Sequence, residues 1–192
     1  APTADFTGKD AGPMEPRRIF GTDGRLHVPD TTVNPWRRAA AIRYRNPTSG
    51  NVEEASFCSA AFAGPRHLWT AAHCATASGV AFTTSVVPGQ NGAGFGPDTT
   101  PYGTFAVRYV IYPQAYNNNS GSATYDWALI VLRSTTGYPR WFGSQSATFG
   151  QLKNRAHRAI GYPGEGDYTF VGCADSPDGS FCGNRQYQQL AN

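Results

Sequence analysis

The chain has 192 residues, 40% of them apolar, which is enough to fill the core of one large domain or two small lobes and makes a disordered chain the wrong starting point. Charged residues make up 15% and the net charge is +3, with the basic side chains scattered apart from Arg17-Arg18 and Arg37-Arg38, so no nucleic-acid partner is expected. No apolar run is long enough to cross a bilayer as a helix, so no membrane partner is expected either.

With 22 glycines and 14 prolines, the composition favours many short strands separated by turns, and the expected fold class is all-β. Residues 1–18 are polar, rich in Pro and Gly and without a period of two or 3.6, and read as a flexible arm. The arm ends in Arg17-Arg18 before Ile19, a dibasic pair beside an apolar residue. It is either a processing site at Arg18-Ile19 or an ordinary surface pair at a domain edge. Strand signals then follow at 36–45, 55–63, 67–70, 80–87, 105–112 and 127–132, with weaker ones at 157–162, 168–173 and 181–190. In the segment 105–112, Phe105, Val107, Tyr109 and Ile111 are expected on one face and Arg108 on the other. Only 71–77 looks helical, as a single turn, and no internal repeat is present. Asn118-Asn119-Ser120 is a glycosylation sequon in a polar loop.

The four cysteines show no C-x-x-C spacing, which favours two disulfides over a zinc or redox site and implies an exported, extracellular protein. Three pairings are formally open. Cys58 with Cys74 and Cys173 with Cys182 are each local, and Asp175-Ser176-Pro177-Asp178-Gly179 supplies a turn inside the second pair. Thr70-Ala71-Ala72-His73-Cys74 follows an apolar segment, and a Cys58 bridge would tie the histidine's turn back to the preceding strand. Asp126 stands at the mouth of the apolar run Trp127-Ala128-Leu129-Ile130-Val131-Leu132. An aspartate there is either a strand-entry turn residue or a buried acceptor aimed at a partner, and His73 is the natural partner. His27, His67 and His157 show no metal-binding spacing with His73. They read as surface or packed residues, so no metal and no cofactor is expected.

Thr-Ala-Ala-His-Cys with an upstream cysteine, followed by Asp126-Trp127-Ala128-Leu129-Ile130, resembles the trypsin-like serine proteases with their double β-barrel fold. The glutamyl endopeptidase branch is closer still, through Ile19-Phe20-Gly21-Thr22-Asp23-Gly24-Arg25, Asn34-Pro35-Trp36-Arg37, Pro88-Gly89-Gln90-Asn91-Gly92, Pro101-Tyr102-Gly103 and Gly161-Tyr162-Pro163-Gly164. The resemblance implies a first barrel over 19–136 and the first part of a second over 137–192. It also implies that His73 is the general base and then general acid, oriented by Asp126, in a secreted endopeptidase acting on polypeptides with a preference for Glu at the cleaved bond.

The nucleophile of that family sits in a Gly-x-Ser-Gly-type loop whose backbone N–H groups form the oxyanion hole, and no such segment occurs in these residues. Ser176 follows Asp175 but lacks the glycine before the pair and has Pro177 after it; Ser176 and Ser180 read as turn residues between cysteines. The segment 186–192 resembles the strand that precedes the nucleophile loop, so the serine is expected shortly beyond Asn192, on a companion fragment or a longer chain, and the 192 residues alone are expected to be inactive. The competing reading is a catalytically inactive binding or inhibitory protein on a protease scaffold, favoured by the missing serine and opposed by the intact His and Asp motifs.

Overall fold

A computed structural model describes residues 26–44, 58–77, 80–81, 83–92, 99–118, 124–134, 140–153, 155, 157–162 and 187–191. The elements in chain order are β1 (Leu26–His27), a 3-10 helix (Trp36–Arg38), β2 (Ala39–Tyr44), β3 (Ser59–Gly64), β4 (His67–Thr70) and a second 3-10 helix (Ala72–Cys74). They continue with β5 (Thr76–Ala77), β6 (Val80–Ala81), β7 (Thr83–Pro88), β8 (Phe105–Ile111), α1 (Gln114–Asn118), β9 (Ala128–Leu132), α2 (Phe149–Lys153), β10 (His157–Gly161) and β11 (Tyr187–Ala191). The nearly all-β composition expected from the turn-rich sequence is present. Six strands close into an antiparallel barrel in the order β2-β3-β4-β9-β8-β7, β1-β11-β10 form a separate three-stranded sheet, and β5 pairs with β6.

Alternation explains the barrel interior. In β3 the residues Ala60 and Phe62 point inward while Ser59, Ala61 and Ala63 are less buried, and Leu68 of β4 and Ile130 and Leu132 of β9 join them. Ala40 and Ile42 of β2 and Val86 of β7 complete this core, and Phe62, the bulkiest apolar side chain at its centre, is fully buried.

Strand β2 is buried on both faces, which is why its sequence runs Ala39-Ala40-Ala41-Ile42 without a polar alternate. Ala40 and Ile42 face the barrel core, whereas Ala39 and Ala41 pack with Val87 against Tyr162 and Ile160, at the end of β10. Small side chains let β10 approach the barrel wall closely, and this packing joins the second sheet to the barrel. A hydroxyl reinforces the junction. Ser59 Oγ accepts from the Tyr162 backbone N–H at 2.6 Å and lies 3.2 Å from the Tyr162 carbonyl.

Several expectations are corrected here. Residues 36–38 open the expected strand as a 3-10 helix, because Asn34-Pro35 turns the chain and the Pro35 and Trp36 carbonyls accept the N–H groups of Arg38 and Ala39. The single alternation expected across β8 breaks at a β-bulge between Val107 and Tyr109. Phe105, Val107 and Val110 therefore pack on the core while Tyr109 and Ile111 are 48% and 46% exposed. The expected strand 80–87 is divided between β6 and β7, which belong to different sheets. The helices α1 and α2, five residues each, were not expected, since neither is long enough to show a 3.6 period. The expected strand 168–173 and most of 181–190 lie outside the described residues, as do residues 1–25.

Phe62→Ala is expected to destabilise the protein by about 3–5 kcal/mol, since the closed wall around Phe62 limits collapse into the cavity; the midpoint of urea unfolding measures it. A methyl group on Gly161 would lie 2.7 Å from Ser59 Oγ. Gly161→Ala therefore should cost about 1–3 kcal/mol in the same measurement, and Ser59→Ala in the same chain should recover part of that loss, because the nearest atom to the methyl is then Ser59 Cβ at 3.3 Å.

Candidate active site

The strands β4 and β9 lie side by side in antiparallel register, with Leu68 opposite Ile130, Trp69 opposite Leu129 and Thr70 opposite Ala128. The chain leaves β4 through Ala71 into the 3-10 helix that carries His73, and it enters β9 from Asp126 through Trp127. The two residues singled out from the sequence, 53 positions apart, are thus delivered to the same end of one strand pair.

Asp126 holds His73 at two points. Its Oδ1 accepts the His73 backbone N–H at 2.9 Å, and its Oδ2 lies 2.7 Å from His73 Nδ1. An ionised carboxylate only accepts, so Nδ1 carries the proton and the basic lone pair of the imidazole is on Nε2. The backbone contact sets the position of the histidine and the side-chain contact sets its ring, so neither can rotate without losing a charge-assisted hydrogen bond. Both side chains are partly buried, at 27% and 22% relative exposure. An imidazole held in this way can take a proton at Nε2, with the carboxylate stabilising the imidazolium that results.

Three further features support the pair. Cys58 and Cys74 form the expected disulfide, with Cα atoms 5.8 Å apart, pinning the residue after His73 to the start of β3. Ala72, Ala75 and Ala128 form a small-residue floor beneath the turn, packed by Val110, Tyr112 and Tyr116. Tyr116, on α1, has its phenol pushed above the usual range by burial and then by the negative charge of Asp126, so it remains a neutral neighbour of the carboxylate. Sequence reasoning did not single out Tyr116. Its role depends on a five-residue helix that the residue pattern does not reveal.

The remaining histidines stand apart from this pair. His27 Nε2 lies 3.0 Å from Asn91 Oδ1, His157 Nε2 lies 2.8 Å from the Leu152 carbonyl, and His67 is exposed on β4. The candidate residues Cys173, Cys182, Arg18 and Ile19, with Ser176 and Ser180, lie outside the described residues.

No family model matches the sequence. The chain is 32% identical over 157 residues to a glutamyl endopeptidase of Bacillus licheniformis, an alignment covering 80% of this chain and 44% of that protein. Its fold matches the solved structure of a Glu endopeptidase in complex with MPD, with a TM-score of 0.66 and 22% identity over 91% of this chain and 70% of that one. The chain has the chymotrypsin-like protease fold, and its sequence is similar to the glutamyl endopeptidases. The protease Anisep of Arthrobacter nicotinovorans shares the fold at a TM-score of 0.53 and 20% identity, over 87% of this chain and 66% of that one. An extracellular metalloprotease of Bacillus subtilis is 26% identical over 158 residues, covering 81% of this chain and 48% of that protein. The chain thus spans under half the length of both sequence relatives.

The name of that last relative raises the question of a metal in this chain. Among the described residues the one grouping of metal-ligating types is Cys58, His73 and Cys74. Both sulfurs are consumed in the disulfide and His73 Nδ1 faces Asp126, so these residues do not fit a metal ion.

Replacing both Cys58 and Cys74 by Ala is expected to lower stability by about 3 kcal/mol, the cost of releasing a loop of this size in the unfolded chain. Comparison of denaturant midpoints with and without the pair checks it.

Proposed function

We propose that this chain is the His- and Asp-bearing part of a secreted serine endopeptidase that hydrolyses peptide bonds through an acyl-enzyme. In this reading His73 is the general base toward a serine hydroxyl and then the general acid toward the leaving amine, and Asp126 orients it. The observation that carries the proposal is the two-point hold of Asp126 on His73 in a fold shared with proteases. The serine and its oxyanion hole come from residues outside these 192, since no Gly-x-Ser-Gly-type segment occurs among them. Domain division follows the same reading, with a first barrel over 19–136 and the start of a second over 137–192.

In this reading the geometry supports each residue's contribution. As a proton moves from the serine to Nε2, positive charge develops on the ring, and the Oδ2 contact at 2.7 Å stabilises it. Because Oδ1 is already engaged by the backbone of residue 73, the carboxylate does not have to reorganise during the step. Preference for Glu at the cleaved bond is supported by the name of the Bacillus licheniformis relative. Secretion is supported by the disulfide and by the name of the Bacillus subtilis relative. No helix among the described residues is long and apolar enough to cross a membrane.

The test uses the product of the complete gene. It is expected to react with a fluorophosphonate at one serine, to cleave peptides after Glu in preference to Ala or Lys, and to keep its activity in a chelator. His73→Ala and Asp126→Asn are each expected to reduce kcat/KM by roughly four orders of magnitude. A folded full-length product that neither labels nor hydrolyses any peptide overturns the proposal in favour of a non-catalytic binding protein.

A further inference from the structure

Two tryptophans stand on the outside of the barrel beside the candidate site. Trp69 of β4 and Trp127, the residue after Asp126, are 44% and 43% exposed, yet their rings meet edge to face with centroids 5.7 Å apart and an interplanar angle of 71°. Exposed indoles are not needed to fill the core, and the core-facing residues of these segments are Leu68, Ala128 and Ile130.

The location of the pair gives it a role. The β4–β9 register places Trp69 opposite Leu129 and ends at Thr70 opposite Ala128, so Trp127 and Asp126 lie beyond the last paired residue. Trp127 is two residues before Leu129, on the diagonal from Trp69, where large side chains still reach each other. Its backbone is held locally, by a bond from the Trp127 N–H to the Tyr125 carbonyl at 2.9 Å, within its own turn. The ring contact is therefore a tie from the segment of Asp126 to the strand that leads into His73, made on the outer side, where the ladder has stopped. On the inner side Ala128 packs with Ala72 and Ala75. The turn carrying Asp126 is thus gripped from both sides.

We infer that Trp69 and Trp127 are positioning residues that clamp the turn of Asp126 against the strand of His73 and so hold the two carboxylate contacts in register. The clamp's catalytic significance rests on the protease reading above, but its structural effect does not.

The readout is the downfield imidazole Nδ1–H proton resonance of His73 in the folded protein, assigned by its loss in Asp126→Asn. Trp127→Ala is expected to make this proton exchange with water roughly fivefold faster, while the backbone amides of Leu68 and Ile130 in the barrel exchange as before. Trp69→Ala should have the same effect, the double variant should be no worse than either single one, and Trp127→Phe, which retains an aromatic edge, should restore most of the protection. Should Trp127→Ala fail to fold, Trp127→Leu, which keeps apolar bulk without the ring, carries the same expectation. Unchanged exchange of the imidazole proton overturns the inference. So does acceleration matched by the Leu68 and Ile130 amides, or effects of the two tryptophans that simply add. A full-length wild-type protein without peptidase activity would sink the protease reading and leave this resonance test intact.

Discussion

Strand β4 lies in the barrel between β3 and β9, and its four residues fix the relation between distant parts of the chain. Leu68 enters the core opposite Ile130, and a slip of one residue would turn Leu68 outward and Trp69 inward, so burial locks the register. Because the register is locked, the residues just past the ends of these strands are also placed, and they include His73 and Asp126. The hydrogen bonds between them therefore depend on packing several residues away, and a barrel core of ordinary aliphatic and aromatic side chains positions the polar pair.

Around that strand pair the molecule uses small residues wherever two elements must come close. Ala39 and Ala41 admit Tyr162 and Ile160 to the outer face of β2, Ala72, Ala75 and Ala128 admit the histidine turn to the base of β9, and Gly161 leaves room for Ser59. Residues 58 and 59 connect these contacts. Cys58 holds the turn after His73 through the disulfide, and Ser59 holds Tyr162 at the end of β10. The second sheet and the histidine are thus anchored to neighbouring residues at the start of β3, which keeps the candidate site next to the junction between barrel and sheet.

Electrostatics at the site are local and simple. Asp126 makes two bonds to one residue, and its charge reaches Tyr116 strongly enough to help raise that phenol. A neutral tyrosine, an alanine floor and the carboxylate together leave the histidine facing one fixed negative charge. A pair of this kind converts a modest base into one with a defined proton-accepting nitrogen.

The residue pattern by itself determined the β class and most barrel strands, placed Cys58 near Cys74 along the chain, and singled out His73 and Asp126 as candidate partners. Each follows from short-range alternation, from local cysteine spacing or from the chemistry of an acid at the mouth of an apolar strand. Tertiary structure alone decided the rest. The bulge in β8 turns Tyr109 and Ile111 outward, because the register with β9 shifts by one residue between Val107 and Tyr109, which an alternating pattern cannot reveal. The 3-10 start of the expected 36–45 strand comes from carbonyls that the Asn34-Pro35 turn directs at the following N–H groups. Tyr116, Ser59 and the Trp69–Trp127 contact are invisible along the chain, since each joins residues far apart in sequence and exists only once the strand register brings them together.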